Sequence, residues 1–149
     1  MTRSGHYLAA AVLITCTAGC DENLRDFAGP TPDLQPTFTS IQRDIFNTTD
    51  SAARAACTTC HNAGNVAVAG GLNLTGAGAY AALVNAASSG KPGAIRVVPG
   101  NPDGSYLVQK LEGASGIVGD RMPQSGPPYL TPGQIAIIRR WIQEGAANN

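Results

Sequence analysis

Apolar residues recur at helical spacing in several short stretches of this chain, and nowhere alternate over the length of a strand. Phe38, Ile41, Ile45 and Phe46 form the first such group, and Thr39-Ser40-Ile41-Gln42 has the hydroxyl-to-amide spacing of a capping box at its start. A second short helix is predicted over 77–87, with Tyr80, Leu83 and Val84 on one face. The third is expected to begin near Asn101-Pro102, an N-cap followed by a first-turn proline, and to bury Tyr106, Leu107 and Leu111. Thr131-Pro132-Gly133-Gln134 opens the last, which Gly145 closes. Its buried stripe holds Ile135, Ile138 and Ile142, flanked by Ile137 and by Trp141 as core filler, with Arg139, Arg140 and Gln143 outside.

Composition agrees with short helices joined by ordered loops: aromatic residues are 5%, and the 149-residue chain carries 18 Gly and 10 Pro. An all-α domain of four to five short helices is therefore expected over 37–149, without internal repeats. What precedes it is of another kind. Residues 1–19 have a polar start with Arg3, an apolar run and small residues before Cys20, as a secretory signal does. That run is too short to span a bilayer and is followed at once by Asp21-Glu22. Thr17-Ala18-Gly19-Cys20 resembles the lipobox of bacterial lipoproteins, with Thr17 where leucine is commoner. The resemblance implies a lipidated Cys20 as first mature residue, anchored to a membrane surface by several acyl chains. Residues 20–36, with Pro30, Pro32 and Pro36, read as an extended tether.

The chemistry lies in Cys57-Thr58-Thr59-Cys60-His61. A C-x-x-C-H pentad is the attachment signature of c-type haem: the thiols form thioethers to the porphyrin edge, and the histidine following the second is placed to ligate iron. The only other histidine, His6, leaves with the signal. One mature histidine excludes bis-histidine ligation within the chain and any zinc site needing two imidazoles. A Cys/Cys/His/carboxylate zinc site is the first rival, but lacks the usual second ligand pair; a thioredoxin-like pair is the other, but lacks a βαβ context.

Met122 is the one mature methionine, in a Gly- and Pro-rich loop between the pentad and the last helix. It is the candidate thioether for the sixth iron position, where it would stabilise the reduced iron and close that face to oxygen or peroxide.

From about Phe38 to Ala146 the chain resembles small class I cytochrome c domains, especially the planctomycete-type cytochrome c domain. The matching pieces are the pentad, Gly71-Leu72-Asn73-Leu74, Val98-Pro99-Gly100-Asn101-Pro102 leading to Ser105-Tyr106-Leu107, Arg121-Met122-Pro123, and Leu130-Thr131 through Trp141-Ile142 to Gly145-Ala146. The resemblance implies an all-α cytochrome c fold around one covalent haem, with first and last helices crossed beside it and His61 and Met122 as axial ligands. It also implies a proline carbonyl orienting His61, for which Pro99 is chosen. Attachment of haem after translocation, on the periplasmic side, is implied too. The departures are Gln124-Ser125 after Met122-Pro123 and the ten-residue stretch 47–56 before the pentad.

Loss of Arg3 leaves a mature charge near minus one, without the basic surface that nucleic acid requires. Arg96, Lys110, Arg121, Arg139 and Arg140 are expected to be solvated, with Arg121, beside Met122, the first choice for a haem propionate; Trp141 is a further candidate haem neighbour. The expected function is single-electron transfer by one haem c at the periplasmic side of a bacterial membrane, with redox partners unidentified and no catalysis. A haem-based sensor or adaptor, and an enzyme acting on peroxide or oxygen, are the alternatives; no second mature histidine is present for distal acid/base work.

Overall fold

The computed structural model describes residues 33–65, 67 and 69–149. The expected signal, Cys20 and most of the tether lie outside the described residues. Four α-helices carry the described chain: α1 (Phe38–Ile41), α2 (Ala79–Leu83), α3 (Tyr106–Glu112) and α4 (Pro132–Gln143). Among the described residues β-pairing is confined to isolated bridges, so the all-α class stands. No described helix is long and apolar enough to cross a membrane.

The apolar pattern of α1 is buried as the spacing requires: Phe38, Ile41, Ile45 and Phe46 all join the core. Its start differs from expectation. Thr37, in extended conformation, is the N-cap and accepts from Ser40 N, while Thr39 is already helical. The amides of Phe38 and Thr39 are taken by Asn149, through Oδ1 at 3.1 Å and its backbone oxygen at 2.8 Å. The chain end thus satisfies donors that a helix leaves without partners. Packing also begins earlier than the tether boundary implied, since Leu34 is only 8% exposed and belongs to the core.

After Ile41 the helix widens into a π turn, Gln42–Phe46. Helix α2 is shorter than 77–87: a 3₁₀ turn, Gly76–Gly78, leads into it, and it stops where Val84 turns extended and Asn85 adopts a left-handed conformation (φ 56°). The Leu83 carbonyl then accepts from Val97 N at 3.1 Å, and the loop beyond is tied to itself. Asn101 caps a turn rather than a helix, its Oδ1 accepting from Gly104 N at 2.8 Å. Helix α3 starts four residues later than that cap would place it, after Ser105, and buries Val108 more deeply than Leu107. Ser105 is wholly buried because its hydroxyl bridges Val98 N and the Asn101 carbonyl.

The last helix agrees with its sequence in detail. Gln134 N donates to Thr131 Oγ1 (3.1 Å) and Thr131 N to Gln134 Oε1 (2.9 Å), closing the capping box. Gly145 (φ 100°) then lets Ala146 N reach the Trp141 carbonyl and end the helix. Trp141, 1% exposed, packs on Phe38 with ring centroids 5.7 Å apart and donates Nε1–H to the Ala147 carbonyl. Tyr80 meets the edge of Phe38 and donates to Ala146, so three aromatic residues join α1, α2 and the end of α4. Thr131→Ala should lower the unfolding free energy by about 1 kcal/mol, because it removes the reciprocal cap. The denaturant midpoint would fall with an unchanged slope; an unmoved midpoint would mean that Pro132 alone fixes this helix start.

Candidate functional site

Cys57–Thr59 form a 3₁₀ turn, and both Cys60 N and His61 N donate to the Cys57 carbonyl, at 3.2 and 2.8 Å. The turn is docked on the π turn after α1. Thr58 Oγ1 donates to the Phe46 carbonyl (3.1 Å), and Cys57 Sγ lies 3.8 Å from the Ile45 carbonyl. A π turn spaces its backbone bonds more widely and is often found at functional sites; here its last two carbonyls receive the pentad. Asn62 locks the other side. Its Nδ2 donates to Thr58 and Thr59, while its Oδ1 accepts from Gly64 N and Asn65 N. The preceding stretch is braced by Asp50, whose carboxylate pairs with Arg54 at 2.6 Å and accepts from Ala52 N and Arg54 N.

The two cysteines are free thiols in unlike surroundings. Cys57 packs against the core; although the whole residue is half-buried, desolvation dominates at the sulfur and pushes the thiol up to about 12. Burial thus keeps the Cys57 thiol protonated and makes it a poor free nucleophile. Cys60 is exposed. Among the described residues no three His, Cys, Asp or Glu side chains converge as a zinc site would require.

His61 is half-buried, and its Nδ1 is fully enclosed without a hydrogen-bond partner. Burial is the main force holding the imidazole below its usual range, aided by the charges of Arg96 and Lys110. The backbone of Leu72 and Ala69 opposes this from beside the ring, outside hydrogen-bond geometry with Nδ1. The imidazole is thus held neutral, the form that binds metals. Its own backbone carbonyl accepts from Leu74 N at 2.9 Å, placing the Gly71-Leu72-Asn73-Leu74 segment against the pentad.

Met122 is half-buried at the core's edge. Its amide donates to the Lys110 carbonyl at 2.9 Å, and the same lysine sends its ammonium to the carbonyls of Val118 and Asp120. Arg121 bonds the Leu111 carbonyl through Nε (2.8 Å) and lies 4.1 Å over the Tyr129 ring. Gly113, left-handed at φ 70°, ends α3 where a Cβ would come within 3.0 Å of Arg121 Cδ. The methionine segment is therefore fastened to α3 through the Met122 amide and the Arg121 side chain. Lys110 links it to His61: the backbone of this residue holds Met122 while its charge acts on the imidazole.

Pro99 has a different place from the one expected. Val98-Pro99-Gly100-Asn101 is a tight turn with Gly100 at φ 77°, closed by Asn101 N to the Val98 carbonyl (2.9 Å). Gly100 N is spent on the Ile142 carbonyl, which anchors the turn to α4. The Pro99 carbonyl does not reach His61 Nδ1, which has no partner. Trp141 fills the core against Phe38. Arg121 borders an open cleft of about 490 Å³ that also meets Tyr129, Ile135 and Arg139 but none of Cys57, Cys60, His61 or Met122.

Among the cations expected to be solvated, Arg96 is buried, at 9% exposure, with Nη1 and Nη2 each 3.0 Å from the carbonyls of Ala82 and Gly70. Its position inside the apolar run Ile95-Arg96-Val97-Val98 is the sequence sign of that burial. Asn62 and Lys110, which position the pentad and the methionine strand, carried no such sign. No family model, curated protein or solved structure matches this chain.

Proposed function

We propose that this chain is a monohaem c-type cytochrome of the class I kind, an electron carrier with haem held by Cys57 and Cys60 and iron between His61 and Met122. Its main support is the imidazole of His61, neutral and with an enclosed nitrogen that has no partner, directly after two thiols on one backbone turn. A buried polar nitrogen left unbonded costs about 1–3 kcal/mol, a cost that stability alone does not explain, and a neutral imidazole is the form that would ligate iron. The donor set fits: a thioether at the core's edge, one neutral imidazole and two thiols.

Cys57, packed at the core's edge, and the exposed Cys60 would hold the haem through two thioether bonds. Asn62 and Thr58 hold the turn in register for both thiols and the imidazole. The Lys110 carbonyl holds the Met122 amide and the Arg121 side chain holds the residue before it, so that ligation would cost little ordering. When bound, haem supplies exchange of one electron between Fe(III) and Fe(II). The signal-like 1–19 and lipobox-like Cys20 support action at the periplasmic face of a bacterial membrane.

The test is the intact mass and pyridine haemochrome spectrum of the full chain made in a haem-maturing bacterial host. One haem mass on a chain beginning at a lipidated Cys20, with the spectrum of two thioether bonds, is the expected result. A chain without covalent haem would overturn the cytochrome assignment, and an unlipidated Cys20 the anchor alone.

A further inference from the structure

Arg43, Arg54, Arg139 and Arg140 each pair with a carboxylate. Arg96 does not: among the described residues no Asp or Glu stands within ion-pair distance of it, although it is the arginine that is buried, at 9% exposure. Its hydrogen-bond partners are two neutral carbonyls, of Ala82 and Gly70, which use two of five guanidinium N–H groups. Neutral dipoles satisfy hydrogen bonds but leave the charge uncompensated, and an uncompensated buried charge is costly. A planar guanidinium with spare N–H groups is the side chain best matched to a carboxylate.

Its placement points to where that carboxylate comes from. Nη2 is bonded to Gly70, in the same loop whose Ala69 and Leu72 flank the His61 ring. The main chain of Arg96 is fixed between Ala86 and Leu107, so the side chain projects from a pinned backbone. The loop comes this close because Gly71 has no side chain: a Cβ there would lie 2.6 Å from Ser89 Oγ and 3.4 Å from Arg96 Nη2. Arg96 also acts by its charge on His61. Lys110, which does so too, has its ammonium committed to the carbonyls of Val118 and Asp120, and Arg121 lies over Tyr129.

We infer that Arg96 is the anion-binding residue of the proposed haem pocket and takes a haem propionate as its counter-charge, in place of Arg121. The inference rests on the cytochrome assignment above. The rival role is a brace, in which Arg96 only ties the Gly70 loop to α2.

Haem-loaded full-length wild type, Arg96→Gln and Arg96→Lys separate the two by spectroelectrochemical midpoint and by the propionate bending band in resonance Raman spectra. Arg96→Gln is expected to lower the midpoint, since an unpaired propionate favours ferric iron, and to shift the band; Arg96→Lys should restore most of the midpoint but not the band. A brace would leave the propionate band at its wild-type value in Arg96→Gln, whatever the lost charge does to the midpoint, and an unshifted band overturns the inference. Should Arg96→Gln fail to load haem, the Arg96→Lys band decides: shifted supports propionate pairing, unshifted overturns it. Wild-type protein lacking covalent haem would overturn the cytochrome assignment, and this inference with it.

Discussion

Cys57→Ala combined with Cys60→Ala is expected to abolish covalent haem completely, seen as loss of haem stain from a denaturing gel and of the thioether spectrum. The single variants should behave differently from each other. Cys60 is exposed, so its loss removes one attachment point and disturbs little packing. Cys57 packs against the core beside Ile45, so its truncation removes buried sulfur as well, at about 1 kcal/mol or more. The turn itself does not depend on the thiols. Thr58 on the Phe46 carbonyl and Asn62 on Thr58 and Thr59 remain in every variant, so far-ultraviolet dichroism of the double variant should stay helical. Covalent haem persisting in the double variant would refute attachment at the pentad; loss of helix together with haem would make the thiols structural.

What could be read from the sequence was whatever is decided within one or two helical turns. Thr131 and Gln134 meet because a helix brings residues three apart together, and Gly145 ends the helix because it alone accepts that backbone angle without strain. The same logic misplaced the other starts, for reasons that lie elsewhere in the chain. Thr37 rather than Thr39 caps α1 because Asn149, 111 residues away from Phe38, takes the amides a Thr39 cap would have left in the coil. Asn101 satisfies a turn because Ser105 is drawn into the core between Val98 and Asn101. The pentad was legible as chemistry but not as geometry: nothing local to Gln42–Phe46 announces the π turn whose carbonyls receive it. Charge is usually solvated, but two backbone carbonyls from distant segments hold Arg96 in a buried position.

Met122→Ala should lower the midpoint potential by on the order of 0.1–0.3 V, a fraction of the about 0.8 V that axial ligands span. The visible charge-transfer band of thioether ligation should vanish, and carbon monoxide should bind the reduced protein rapidly where the wild type resists it. The direction follows from the ligand: a thioether favours ferrous iron, and its removal leaves water or nothing in its place. The fold should survive, because the strand is held by contacts other than the thioether. Met122 N on Lys110, Lys110 Nζ on Val118 and Asp120, and Arg121 on Leu111 and Tyr129 are all independent of the methionine side chain. The lost contact with the core is that of a half-buried residue, so the variant should unfold at a lower denaturant concentration while remaining cooperative. This separation gives the experiment its force. A variant that keeps the wild-type potential and stays closed to carbon monoxide would remove Met122 from the iron. A wild type that itself binds carbon monoxide rapidly would replace the electron carrier with a ligand sensor or enzyme, since the face that rigid thioether ligation closes would then be open.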